Sequence, residues 1–281
     1  MKKIGFIDYY ISEWHANNYP KWISEVCREN GDGYTVAYAY AERDISPVDG
    51  ISTDEWCERM SVTRCASIEE LCEVSDFVCI LAPSNPEKHL DYCRAAFPSG
   101  KRIYVDKTFA PDYAAAKEIF ALAKKHGARI FSTSALRYAT ELSEIGEAES
   151  IIVSGAGSNF EEYFIHIAEI AVKLMGSDVA TVTACPQGKE QCTVKVEFSS
   201  GKSAGLVFSP SMPYAVCAEL ADGGSSYKKI ESKYFMGLIA DMLQFFGTGE
   251  ASFDPAETLA VMKLREAAIR SRAEGGKRIE L

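Results

Sequence analysis

At 281 residues the chain has room for two modest domains or one large one, and 47% apolar residues are ample for a core. A formal net charge of -10 argues against a nucleic-acid binder, which carries a basic footprint, and the apolar runs are too short and interrupted to cross a bilayer. Nine cysteines form no C-x-x-C pair, and several fall on apolar faces, which points to a reducing compartment and no structural zinc. Met1-Lys2-Lys3 leads straight into a strand, so a cytoplasmic protein is expected.

KIGFID, residues 3–8, reads as a buried strand, and Ser12 to Asn30 as a helix with Trp14, Tyr19, Trp22, Ile23 and Val26 as apolar positions. A dinucleotide-binding fold makes the intervening turn from glycines, because the backbone must approach two phosphates. This chain offers Asp8-Tyr9-Tyr10-Ile11-Ser12. Asp8 sets a carboxylate beside the phosphates, Tyr10 puts a ring where bare backbone belongs, and Ser12 is the expected helix N-cap.

The second strand, Tyr34 to Ala41, ends in Glu42-Arg43-Asp44. An acid here accepts from an adenosine ribose and favours NAD, whereas Arg43 leaves NADP open. A charged surface turn is the plain alternative. Residues 45–75 hold short helical pieces. There follow a buried strand FVCILA, a turn at Pro83 and Asn85, a helix, and the strand Ile103 to Val105, which runs into Asp106-Lys107-Thr108. Lys107 stands at the carboxyl edge of the sheet, where doubly wound folds bind ligands. The bland reading makes it a solvated cation paired with Asp106. A helix to His126 and the strand ARIFSTS complete the alternation, and His89 and His126 read as helix-surface or turn residues.

In FEEYFIHIAEIAVKLM, Glu162, His166 and Glu169 share a helical face at i, i+4 and i+7. Two acids and one His do not complete a metal site, and no metal is expected. Period-two strands then follow in succession, with Ser199 to Lys202 as a hairpin turn, before helices at Tyr234 to Phe246 and Pro255 to Glu274 and a terminal strand. The fold expected is α/β: a Rossmann-like parallel-sheet domain over 1–135, then an α+β domain over 136–281 with a mostly antiparallel sheet. The last helix is a candidate to pack back on the first domain.

The succession of strand, A-P-x-N turn, helix, G-K, strand and acid-Lys, with the later Glu162…His166…Glu169 helix, resembles the Gfo/Idh/MocA family, the glucose-fructose oxidoreductase and inositol dehydrogenase relatives. That family carries Glu-Lys-Pro where this chain has Asp106-Lys107-Thr108, and a glycine-rich first loop where this chain has residues 8–12. The resemblance implies an NAD(P)-dependent oxidoreductase acting on a hydroxyl of a sugar, polyol or similar small molecule. His166 would accept the hydroxyl proton, Lys107 would stabilise charge on the oxygen, and Glu162 would orient His166 or contact a second hydroxyl. Asp8, Tyr9, Tyr10, Ile11, Ser12, Glu42, Arg43, Pro83, Asn85, Asp106 and Lys107 would border the cofactor. Arg137, at the entry to the second domain, is a weaker substrate candidate, since only 17 residues separate it from Gly155. Relatives also imply a homo-oligomer pairing through the C-terminal sheet. The altered turn supports an alternative: a family-derived small-molecule binder or non-catalytic subunit with weakened dinucleotide binding.

Overall fold

The computed structural model describes residues 1–281, which divide into two compact units, Met1–Ser132 with Leu238–Ser252, and Thr133–Gly237 with Phe253–Leu281. The first unit is built on a parallel sheet of β1 (Lys2–Asp8), β2 (Tyr34–Ala41), β3 (Thr63–Arg64), β4 (Phe77–Ile80), β5 (Arg102–Val105) and β6 (Arg129–Phe131). The spatial order is β3-β2-β1-β4-β5-β6, the doubly wound order that reverses direction between β1 and β4. β1 is buried continuously from Ile4 to Asp8, as a strand covered on both faces requires. Leu81 N–H donates to Ile7 and Asp106 N–H donates to Ile80, both at 2.8 Å, so the chain leaves β1, β4 and β5 along one edge.

Between the strands run α1 (Trp14–Asn30), α2 (Thr53–Met60), α3 (Ile68–Val74), α4 (His89–Ala96) and α5 (Tyr113–His126). α1 buries Tyr19, Ile23 and Val26 as its spacing predicts, but Trp14, expected on that face, is 52% exposed. α3 lies so close to β1 that a Cβ on Gly5 would meet Leu71 Cδ2 at 2.5 Å and Ser75 Oγ at 2.4 Å. Gly5→Ala is therefore expected to cost about 1–3 kcal/mol of stability through overpacking, read as a lower urea midpoint at unchanged slope. An unchanged midpoint would show that α3 yields.

The second unit carries β7 (Ala148–Gly155), β8 (Val179–Pro186), β9 (Cys192–Phe198), β10 (Ser203–Phe208), β11 (Ala215–Leu220), β12 (Ser225–Lys229) and β13 (Ile279–Glu280), in the order β12-β11-β7-β10-β9-β8-β13. Every pairing is antiparallel except β7 with β10. α6 (Phe160–Met175) and α8 (Pro255–Ala273) pack on this sheet and on each other. A Cβ at Gly155 would meet Ile167 Cγ2 at 2.3 Å, so the end of β7 receives α6 closely beside His166. β7, passed over in the sequence, lies in the middle of the sheet.

α7 (Tyr234–Thr248) straddles the division, and from Leu238 onward it belongs to the first unit. There Phe246 stacks on Phe77 with centroids 4.8 Å apart, Phe245 lies 5.4 Å from Phe131, and Tyr34 donates to the Leu243 carbonyl at 3.2 Å. The element that returns to the first unit is thus α7, whereas α8 stays with the second. No helix is long and apolar enough to cross a membrane.

Candidate functional site

Asp8 ends β1 at 1% exposure, so it is not the outward carboxylate expected from the sequence. Its Oδ1 accepts from Tyr9 N–H at 2.7 Å and Ala82 N–H at 3.1 Å, which ties β1 to the chain leaving β4. Ala82 holds φ +47, a left-handed conformation uncommon for a residue with a side chain. Oδ2 is buried without a hydrogen-bond partner. Burial, then the charge of Glu13, pushes the Asp8 carboxyl well above the usual carboxylate range.

An acid raised in the fold contributes no penalty below its ordinary value near 3.8; the penalty grows as pH rises from there toward the folded value and is constant above it. Asp8→Asn keeps an acceptor for both amides and removes the charge. It is expected to stabilise the protein by about 1–3 kcal/mol at pH 8, with the gain vanishing near pH 4. Denaturant melts at the two pH values check this, and a loss of stability at pH 8 would contradict it.

Ser12 does not cap α1. Its hydroxyl donates to Asp49 Oδ2 at 2.7 Å, and the cap is Glu13, whose carboxylate accepts from His15 N–H at 2.8 Å and from Ala16 N–H. Glu13 is 5% exposed. His15 Nδ1 lies 3.3 Å from Asp106 Oδ2 and 3.5 Å from Glu13 Oε2. Asp106 Oδ1 in turn accepts from Tyr104 OH at 2.7 Å and, more weakly, from Tyr19 OH at 3.5 Å. Asp106 therefore does not pair with Lys107, as the bland reading had it. Lys107 is half-buried at the end of β5, and its peptide bond to Thr108, where the family has proline, is cis.

Around this edge, Tyr9 and Tyr10 are half-buried and meet edge to face at 6.0 Å, while Ile11 is buried. Glu42 accepts from Lys88 Nζ at 2.5 Å and from Tyr92 OH at 2.9 Å, and the Lys88 bond holds its carboxyl below the usual value. The Lys88 ammonium also lies 5.0 Å over the Tyr9 ring. Arg43 is exposed, with its N–H donating to Tyr9 O. Pro83 is buried, and Asn85 donates to Glu87 at 2.9 Å. His89, expected on a helix surface, is fully buried, its ring nitrogens against the carbonyls of Phe109 at 3.0 Å and Leu81 at 2.6 Å.

A pyrophosphate at this turn needs free amides at the head of α1 and bare backbone after β1. The His15 and Ala16 amides are held by a buried carboxylate, and residues 8–12 contain no glycine. In this conformation the turn does not fit a dinucleotide's pyrophosphate.

In the second unit, α6 starts at its N-cap Asn159, which accepts from Glu162 N–H at 2.8 Å and donates to Glu162 Oε2 at 3.2 Å. One turn on, His166 is half-buried, with Nδ1 2.7 Å from Ser134 Oγ and its ring beside Tyr163 and Tyr214. Glu169, 3% exposed, accepts from Thr133 Oγ1 at 2.9 Å, Ser134 N–H at 3.3 Å and Arg137 Nε at 2.5 Å. It thereby fixes the loop that presents Ser134 to His166. Arg137 is 5% exposed, gives Nη2 to Glu257 at 2.6 Å and lies 4.0 Å from the Phe253 ring centroid. Both arms of Arg137, the weaker substrate candidate, are engaged within the unit, one by the buried Glu169 and the other by the half-buried Glu257. Ser134, Thr133, Glu257, Glu13 and Tyr104 went unnoticed in the sequence: tertiary contacts alone bring the first three to these groups, whereas Glu13 and Tyr104 act on partners two or three residues away and were passed over because Ser12 is the better cap by propensity and Tyr104 reads as a core strand residue.

Residues 34–134 match the oxidoreductase family described by an NAD-binding Rossmann fold, Gfo/Idh/MocA. Over these residues the chain is similar to that family's NAD-binding domain. Uncharacterized oxidoreductase YhhX of Escherichia coli K12 is 34% identical over 62 residues, which span 22% of this chain and 18% of that protein. GenD2 from gentamicin A biosynthesis, solved in complex with NAD, superposes with a TM-score of 0.78 at 14% identity, covering 100% of this chain and 97% of that one. A myo-inositol dehydrogenase from Corynebacterium glutamicum gives 0.79 at 14% identity, covering 100% and 98%. At such identities these two likenesses show that the two-unit fold is shared over the whole chain, and nothing about family or ligands.

Proposed function

We propose that the chain is an oxidoreductase acting on a hydroxyl, or the corresponding carbonyl, of a small polar molecule of the sugar or polyol class. The observation that carries the proposal is the state of Lys107. Its neighbour Asp106 is committed to His15 and Tyr104, which leaves the ammonium outside that pairing at the carboxyl edge of a Gfo/Idh/MocA Rossmann sheet. A cation so placed stabilises negative charge on a substrate oxygen. His166 is the proton acceptor. The tautomer that leaves Nε2 as base has Nδ1–H donating to Ser134 Oγ, whose second lone pair takes Leu136 N–H at 3.3 Å.

Similarity of residues 34–134 to an NAD-binding oxidoreductase family supports a nicotinamide dinucleotide as the redox partner, and the exposed acid Glu42 favours NAD over NADP. Glu162 borders the substrate in this reading. A cytoplasmic homo-oligomer paired through the sheet face that exposes Ile152 and Tyr227 belongs to the same reading. The closed turn at Glu13 favours a second one, a family-derived binder without a dinucleotide. Incubation of the pure chain with NAD or NADP and a panel of polyols and sugars, followed by nicotinamide absorbance, separates them. Turnover of at least one panel member with NAD is expected, and none with any member would favour the binder.

A further inference from the structure

We propose that Glu13 is an internal occupant of the pyrophosphate position, so that any diphosphate must displace its carboxylate from the head of α1. The inference rests on the nicotinamide reading for its physiological ligand, though not for its test. At the start of a helix the first N–H groups lack partners within the helix, and phosphate binding there uses those donors together with the favourable end of the helix dipole. In this chain the donors in question are the N–H groups of His15 and Ala16, and both point at Glu13.

A helix cap is ordinarily a short side chain, Ser, Thr, Asp or Asn, commonly in contact with water. Glu13 is longer and 5% exposed. It behaves as a bound anion that happens to be covalently attached.

A second observation is independent of the cap. The buried Oδ2 of Asp8 has no hydrogen-bond partner, and Glu13 is the chief charge acting on that carboxyl. The turn thus sets Glu13 and Asp106 beside one imidazole, His15, with the charges of both acids acting on Asp8 and the hydroxyls of Tyr19 and Tyr104 donating to Asp106. More acid is buried here than the donors satisfy. An incoming diphosphate adds two further negative charges, and the head of α1 can hold either those or Glu13. Removing Glu13 frees the two amides and takes one charge from the cluster at the same time. Ser at that position restores a short cap that a phosphate oxygen can replace.

The test uses inorganic pyrophosphate and NADH as separate probes, titrated by calorimetry into the wild-type chain and Glu13→Ser at one ionic strength. Pyrophosphate is expected to bind the variant at least tenfold more tightly than the wild type. Pyrophosphate affinity that is unchanged or weaker in a variant with a wild-type thermal melt would overturn the inference, whatever NADH does. NADH binding to neither protein, alongside tightened pyrophosphate binding, would uphold the inference and remove the nicotinamide reading. Should Glu13→Ser lose its melt, Glu13→Gln serves instead. It retains an acceptor oxygen for the amides while losing the charge, and a gain of several-fold is then expected, with no gain counting against the proposal.

Discussion

Replacing Glu169 with Ala is expected to lower the unfolding free energy by about 3 kcal/mol or more, the largest stability loss foreseen for a single side chain of the second unit. Removing one partner of a buried ion pair leaves an uncompensated charge, typically at a cost of roughly 3–5 kcal/mol. Arg137 and Glu169 are 5% and 3% exposed, so solvent cannot replace the lost partner. Glu257 still holds the other arm of the guanidinium, which places the loss toward the lower end of that range. The change also strips Thr133 and the Ser134 N–H of their acceptor. Replacing both members, Arg137→Met with Glu169→Leu, is expected to recover much of the loss, because no charge is then stranded. Chemical denaturation of the two variants checks both statements. A loss below about 1 kcal/mol for Glu169→Ala would show that water reaches Arg137.

The second large effect is kinetic. With the best substrate from the panel, His166→Ala is expected to lower kcat by roughly 10²–10⁴, the usual contribution of a positioned base. Lys107→Met is expected to lower it by about 10²–10³, in keeping with loss of one electrostatic donor. Neither should move the thermal melt much, since both residues are half-buried. Ser134 acts through His166 as a positioning residue, so Ser134→Ala should shift the pH dependence of kcat rather than abolish turnover. Wild-type kcat in His166→Ala would remove the imidazole from the mechanism.

The first sheet was legible because parallel strands covered on both faces read as continuous apolar runs, as in KIGFID and FVCILA, separated by helices of ordinary length. The edge on which Lys107 stands follows from that alternation alone. The antiparallel strands showed as period-two patterns, but β7 did not. Of its outward residues nearest Gly155, Ile152 is apolar though 57% exposed and Ser154 is polar though buried, and the stretch leading into it, ELSEIGE, is rich in acids. Ser12 is a better cap than Glu13 by propensity, yet its hydroxyl is drawn to Asp49, 37 positions away. The Arg137–Glu257 pair spans 120 positions and leaves no spacing signal. The same holds for His89, whose two carbonyl partners belong to other segments of the chain.

The central claim, a nicotinamide-dependent oxidoreductase with a partly closed cofactor turn, is tested most directly by titrating NADH into the wild-type chain while exciting tryptophan. Trp14, at the first residue of α1 and 52% exposed, is the donor closest in sequence to the turn. Saturable energy transfer to NADH is expected, reversed by excess NAD and stronger in Glu13→Ser. Absence of transfer in both proteins at every NADH concentration would contradict the claim.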